Sequence, residues 1–199
     1  HPQIANLLVD PVLIEEKIDG SQFNFGLDAE GKVWFRSKGS ELYLETSDKI
    51  FKPAINTVMS IKDKLKSGLF YRGETLAKPK HNTLAYSRVP KDNIILFDVD
   101  DGNGNFLSYD AKVKEAEVLG LEAVPILGEV KILNVEELVK ELLLRESVLG
   151  GTSIEGVVIK NYSRFGEDSK PLFGKYVSEK FKETHRTSWK ESNPGANDV

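Results

Sequence analysis

The chain has 199 residues, a formal net charge of -4, 40% hydrophobic and 29% charged residues, and no cysteine. This is the composition of a globular chain long enough for one domain with a sizeable core, and it excludes disulfides and thiolate metal centres. Its three histidines, His1, His81 and His185, are too scattered to suggest a structural zinc site. No apolar run approaches the ~18 residues of a membrane span, and the first residues do not resemble a signal peptide, so a cytoplasmic compartment is expected.

The charge is uneven. Asp92 to Glu146 holds 13 acidic residues against five lysines and arginines, whereas Lys160 to Lys190 holds eight lysines and arginines against four acidic residues. Lys78, Lys80, His81, Arg88 and Lys91 add a second basic region. Such a distribution suits a phosphate-binding face on an acidic protein.

In chain order, Pro11-Val12-Leu13-Ile14 and Phe23-Asn24-Phe25 flank Glu15-Glu16-Lys17-Ile18-Asp19-Gly20, which reads as strand, turn, strand. By itself this hexapeptide fits either a solvated lysine in a charged hairpin or a lysine nucleophile. Val33–Arg36 is expected to be a strand, broken by Ser37-Lys38-Gly39-Ser40. Residues 54–66 have helical spacing, ended by Ser67-Gly68, and Leu69–Arg72 is a short strand running into Gly73-Glu74. Residues 75–93 read as a long loop, a length that usually carries function. Ile94–Val99 is an apolar, central strand, followed by a hairpin turn at Asp100–Asn105, whose spacing does not fit a calcium loop. Ser108 is placed to cap a helix ending at Leu119, with Gly120 just beyond it. A strand is expected at 123–127. A leucine-rich helix follows at 135–146, with Asn134 and Glu137 as a capping box and Leu142-Leu143-Leu144 in the core. After Gly150-Gly151, Ile154–Lys160 forms a strand, Asn161–Lys170 a polar turn and Leu172–Val177 the last strand. A final helix from Glu179 toward Trp189 places Phe181, His185 and Trp189 on one face, which makes His185 a packing residue. Residues 190–199 read as a linker, leaving 1–189 as the domain.

Several apolar strands end in charge: Lys17, Arg36 or Lys38, Glu74, Asp98, Glu155, Lys160 and Lys175. Charges at the ends of buried strands must be paired or must bind a charged ligand. Four cations with three carboxylates suit a polyphosphate carrying divalent metal. There is no Gly-x-x-x-x-Gly-Lys-Ser/Thr loop, which argues against a P-loop enzyme.

At these residues the chain resembles the covalent nucleotidyltransferases, and within them the ATP-dependent RNA ligase family. Lys17-Ile18-Asp19-Gly20 resembles the Lys-x-Asp-Gly signature. Arg36-Ser37-Lys38-Gly39, Phe70–Glu74, Leu96–Val99, Glu155–Lys160 and Phe173–Tyr176 resemble the later motifs, in order. The resemblance covers residues 15–176. It implies an α+β nucleotidyltransferase (ATP-grasp-like ligase) domain with antiparallel sheets around the nucleotide pocket and flanking helices. It implies that Lys17 takes AMP from ATP as a lysyl phosphoramidate, passes it to an RNA 5′-phosphate, and lets a 3′-hydroxyl displace it.

By the same resemblance Glu16 sits at the adenine edge, Phe97 stacks on the base, Glu74 meets the ribose, and Glu155 coordinates Mg²⁺ or Mn²⁺. Lys160 and Lys175 hold the α-phosphate; Asp19 and Asp98 support, with Gly20 and Gln22 beside the nucleotide. Three positions depart from the family pattern: Lys38 where arginine is common, Phe173 where some relatives have a second lysine, and Gln22 where asparagine is frequent. Either Arg36 or Lys38 can fill the second-motif role. The basic loop 78–91 and the basic C-terminal region are candidate RNA-backbone contacts, with RNA ends as the expected partner and a monomer as the expected state. Rival readings are a DNA ligase or mRNA-capping enzyme, a non-catalytic RNA-binding module, and a structural domain with coincidental charges.

Overall fold

The computed structural model describes residues 12–45, 48–130, 135–165, 171–178, 181–183 and 185–186. Ten strands form two sheets. A four-stranded sheet has the order β10-β9-β1-β8, built from β1 (Val12–Lys17), β8 (Ile126–Val130), β9 (Gly156–Phe165) and β10 (Pro171–Val177). A six-stranded sheet has the order β4-β3-β2-β5-β6-β7, built from β2 (Ser21–Leu27), β3 (Val33–Arg36), β4 (Glu41–Leu42), β5 (Phe70–Thr75), β6 (Ile94–Asp100) and β7 (Glu122–Ala123). All pairings are antiparallel except β6 with β7. The α+β architecture with antiparallel sheets and flanking helices is therefore the one expected.

The helices α1 (Lys52–Ile61), α2 (Tyr109–Leu119) and α3 (Val135–Leu142) flank the sheets. Proline near the start of α1 suits a position whose amide has no helical partner. Ser108 caps α2 by accepting from the Ala111 amide at 3.2 Å, and Gly120 ends it in the left-handed region at φ 70°. Both features match the sequence reading. Asn134, the expected cap of α3, lies outside the described residues, as do residues 190–199. Among the described residues no helix is long and apolar enough to cross a membrane.

Each sheet buries one apolar layer. Phe23, Phe25, Phe35 and Tyr71 pack with Ile55 and Val58 of α1 and Leu119 of α2 under the six-stranded sheet. Phe25 stacks on Tyr71 at 5.1 Å between ring centroids. Ile14, Val157 and Ile159 pack with Val139 and Leu142 of α3 under the four-stranded sheet. A third cluster joins Ile18, Leu76, Leu84, Tyr86, Ile95, Val124 and Leu149 beneath the loop that follows β5.

The structure corrects several sequence expectations. The β1–β2 connection is not a hairpin, because the two strands do not pair and belong to different sheets. The strand expected at 123–127 is two strands, β7 and β8, in different sheets. Pro125 lies between them and has no amide to continue a ladder; its carbonyl instead accepts from the Glu16 amide at 3.2 Å. The helix at 54–66 is α1 followed by a 3-10 turn at Lys62–Lys64. β9 continues to Phe165, so the polar turn begins later than expected. The third helix stops at Leu142, and Leu144 is 83% exposed rather than core.

Gly156 permits the closest strand contact. A Cβ there would lie 2.1 Å from the Tyr176 carbonyl oxygen on β10. Gly156→Ala should therefore force β9 and β10 apart and lower stability by about 1–3 kcal/mol or more, as overpacking does, measured by urea denaturation.

Candidate functional site

The three residues Ile18-Asp19-Gly20 carry the chain from one sheet into the other, and a cavity of about 450 Å³ opens at that crossing. Lys17 ends β1 on one side; Ser21 and Gln22 begin β2 on the other. Register then recruits the remaining groups. Lys17 pairs with Gly156, which brings Glu155 alongside it, and Gln22 pairs with Glu74. Lys175, opposite Val158 on β10, completes the four-stranded side. Lys17, Asp19, Gly20, Gln22, Lys38, Glu74, Glu155 and Lys175 all line the cavity, so eight of the expected residues converge.

The Lys17 ammonium donates to Glu155 Oε1 as an ion pair. The other oxygen, Glu155 Oε2, is buried with no hydrogen-bond partner among the described residues. Burial pushes the Glu155 carboxyl up to about 7, opposed by the charge and hydrogen bond of Lys17. Glu74 is pushed up to about 8, first by burial, with Glu155 and Asp19 adding repulsion and Lys17 and the Gly20 amide opposing. Gly20 is required for this approach: its Cβ would lie 2.7 Å from the Thr75 carbonyl and 3.2 Å from Glu74 Oε2.

Asp19 and Glu16 hold the crossing from beneath. The Asp19 carboxylate accepts from Asn82 Nδ2 at 2.9 Å, the Thr83 amide at 2.8 Å and the Leu84 amide at 2.7 Å. Its own amide donates to the Tyr86 hydroxyl at 2.8 Å. Asp19 is thus the anchor of the long loop, in keeping with a supporting role. Glu16 is 2% exposed and accepts from Ser147 Oγ at 2.6 Å and the Val148 amide at 2.8 Å. Burial raises its pKa against those two bonds.

Lys160, Phe97 and Arg36 do not line the cavity. Lys160 is 2% exposed and meets Glu15 at 2.9 Å, Asp98 at 3.0 Å and the Phe97 carbonyl at 2.6 Å. The reason is strand rise: four residues separate Lys160 from Gly156, which sets them ~13 Å apart along β9. Lys160 stands midway along β9, beyond the part of the strand that meets the cavity. Phe97 is half-buried and packs against the third cluster. Arg36 is exposed, whereas Ser37 and Lys38 line the cavity, so the geometry favours Lys38 for the second-motif contact.

Other participants were not expected from sequence. Lys112 of α2 is fully buried, ion-paired with Glu15, and donates to the Phe97 carbonyl at 3.0 Å. Its signal lay in helical spacing, since Lys112 shares a buried face with Glu115, Ala116 and Leu119. Phe51 and Phe181 supply aromatic wall to the cavity. Phe181 stacks on His185 at 5.8 Å, and His185 Nδ1 lies 3.0 Å from Thr83 Oγ1, so His185 is held by these two contacts although it is exposed; Trp189, expected on the same face, lies outside the described residues. Among the basic loop residues Lys78 and Lys80 are exposed, but Arg88 is paired with Glu122 at 3.0 Å and donates to the Val148 carbonyl.

Two outcomes follow from these charges. Lys112→Met leaves Glu15 with one cation too few and should cost about 3–5 kcal/mol in urea denaturation. Adding Glu15→Met restores balance, with Lys160 still facing Asp98, and should recover most of that loss. Because Glu74 and Glu155 titrate higher folded than unfolded, the folded state holds extra protons. Stability of the ligand-free protein should therefore fall as pH rises from about 4.5 through 8. Glu74→Gln should flatten that fall in denaturation series across the same range.

Among curated protein sequences none matches. A Naegleria gruberi RNA ligase variant in its apo form superposes with a TM-score of 0.73 at 19% identity, covering 94% of this chain and 54% of that one. Two further variants of that enzyme with ATP and manganese superpose at TM-score 0.71 and 20% identity, each covering 93% of this chain. The chain thus spans about half the length of the enzyme whose fold it shares. The RNA ligase family model matches residues 10–177. The chain belongs to the RNA ligase family.

Proposed function

We propose that this chain is the adenylyltransferase domain of an ATP-dependent RNA ligase. The observation that carries the reading is Lys17 at a cavity wall, ion-paired with Glu155, whose second carboxylate oxygen is buried without a partner. A buried orphan oxygen beside a lysine is costly unless a ligand completes it. No group of three or more metal-ligating side chains occurs among the described residues. A divalent cation held by Glu155 would accordingly take its remaining ligands from phosphate and water, as Mg²⁺ and Mn²⁺ do at nucleotide sites. Bound there, it would neutralise charge on the transferring phosphoryl group.

Lys17 attacks the α-phosphorus of ATP; a P–N bond forms as the bond to pyrophosphate breaks. Lys17 must first leave Glu155 and lose its proton to solvent, since an ammonium has no lone pair to donate. Lys38 and Lys175, on opposite sides of the cavity, draw the phosphates in and balance developing charge. Glu74 lies where its carboxyl can hold a ribose hydroxyl. Its raised pKa allows it to enter as the neutral acid and donate. Glu16 keeps Lys17 in register by holding Ser147 and Val148. Lys160 and Lys112 act from below by fixing Glu15 and the Phe97 carbonyl, and Lys78 and Lys80 are the exposed cations available to an RNA backbone. AMP then passes to an RNA 5′-phosphate, and a 3′-hydroxyl displaces it.

Incubation with radiolabelled ATP and Mg²⁺ or Mn²⁺, followed by a denaturing gel, should give a covalent, acid-labile adduct. Lys17→Ala should abolish it, and labelled GTP should give little. Absence of an adduct across pH and metal would overturn the proposal. Sealing of nicked and single-stranded RNA, compared with DNA, reads the polynucleotide.

A further inference from the structure

His81 lies half-buried in the loop after β5 and reaches the first residue of β2. Its Nδ1 accepts from the Ala77 amide at 3.0 Å. A ring nitrogen that accepts a hydrogen bond carries no proton, so in the neutral ring the hydrogen sits on Nε2. Nε2 lies 2.8 Å from Ser21 Oγ. The ring therefore donates to the hydroxyl, and the hydroxyl hydrogen must point elsewhere. The reverse arrangement would place a proton on Nδ1 facing the Ala77 N–H, which is excluded. Burial lowers the His81 pKa and Lys78 acts in the same direction, with Asp19 opposing, so the ring is neutral near pH 7.

Ser21 lines the cavity, and among the described residues its hydroxyl has no second hydrogen-bond partner. Its backbone is held by pairing with Thr75, which leaves the hydroxyl rotor as its main freedom. Lys17, Lys38 and Lys175 line the same cavity, so the acceptor it would meet there is anionic. We propose that His81 is a positioning residue: through Nε2–H it orients the Ser21 hydroxyl as a donor to a phosphoryl oxygen in the cavity. This rests on reading the cavity as a nucleotide site. The phosphoryl oxygen can belong to ATP or to the RNA 5′-phosphate.

The test measures two steps on the full chain: lysyl-AMP formation against ATP concentration, and AMP transfer from the purified adduct to a 5′-phosphorylated RNA. Ser21→Ala should reduce one step by about ten-fold or more, the usual effect of losing a hydrogen bond to a charged group. Loss through KM for ATP assigns the donor to the triphosphate, and loss in the second step assigns it to the RNA end. His81→Ala should weaken the same step, and His81→Gln, which keeps an N–H donor, should restore it to within two-fold. In a Ser21→Ala background His81→Ala should add nothing. An unchanged rate in both steps for Ser21→Ala would overturn the proposal. So would an equal effect of His81→Ala in both backgrounds, which would make His81 a loop brace only. If the wild-type chain forms no lysyl-AMP, the functional reading itself fails. The His81 assignment is then decided by calorimetric binding of inorganic triphosphate: weaker binding by Ser21→Ala supports it, and equal binding overturns it.

Discussion

Between Lys17 and Ser21 the chain has three residues in which to leave one sheet and enter another. That constraint governs the rest of the site. So short a crossing cannot be supported by its own backbone hydrogen bonds, so each residue is held by something distant in sequence. Ile18 is buried in the cluster between the sheets, Asp19 takes three donors from the loop after β5, and Gly20 sits where a Cβ would collide with Thr75. The long loop is structured because it supplies the donors that a buried aspartate requires. The position of Lys17 is thus set by tertiary contacts on both sides and not by local turn geometry.

Two groups of buried charge meet β1, one at Glu15 and one at Lys17, and they differ in kind. Lys112, Glu15, Lys160 and Asp98 bring together two cations and two carboxylates, with the Phe97 carbonyl accepting from both lysines, so the set balances its own charge. The cavity set is open: Glu155 has an unpartnered oxygen, and Glu74 and Glu155 both resist ionisation. Perturbed acids facing a cleft are the usual physical mark of a site awaiting a charged ligand. The ligand-free fold carries that unfavourable burial as a condition of binding.

Much of this was legible in the sequence because apolar strands closed by charged residues are conspicuous. Lys17, Glu74, Glu155 and Lys175 were found in that way, and the structure brings them together. Strand ends, however, do not say which end of a strand faces the cavity. Lys160 stands midway along β9, outside the cavity that Glu155 lines. Phe97 was assigned by motif order, while its side chain follows the packing of Ile18 and Ile95. Lys112 stood among core positions of a helix, where a lysine looks like a solvated residue until its partner on another element is known. The β1–β2 and β7–β8 connections were read as local features, since nothing in a short apolar run tells whether its neighbour joins the same sheet. The Thr83 and Leu84 donors had no sequence signal, because backbone amides in a loop are silent in composition.

The assignment of partners to sheets has a mechanical consequence. Lys17 and Glu155 ride on the same sheet through the β1–β9 register, while Gln22 and Glu74 ride on the other through β2–β5. Flexing of one sheet against the other leaves each couple intact and changes only the gap between couples. The gap between the couples is gauged by the crossing Ile18-Asp19-Gly20, which the contacts of Asp19 and Gly20 hold in place.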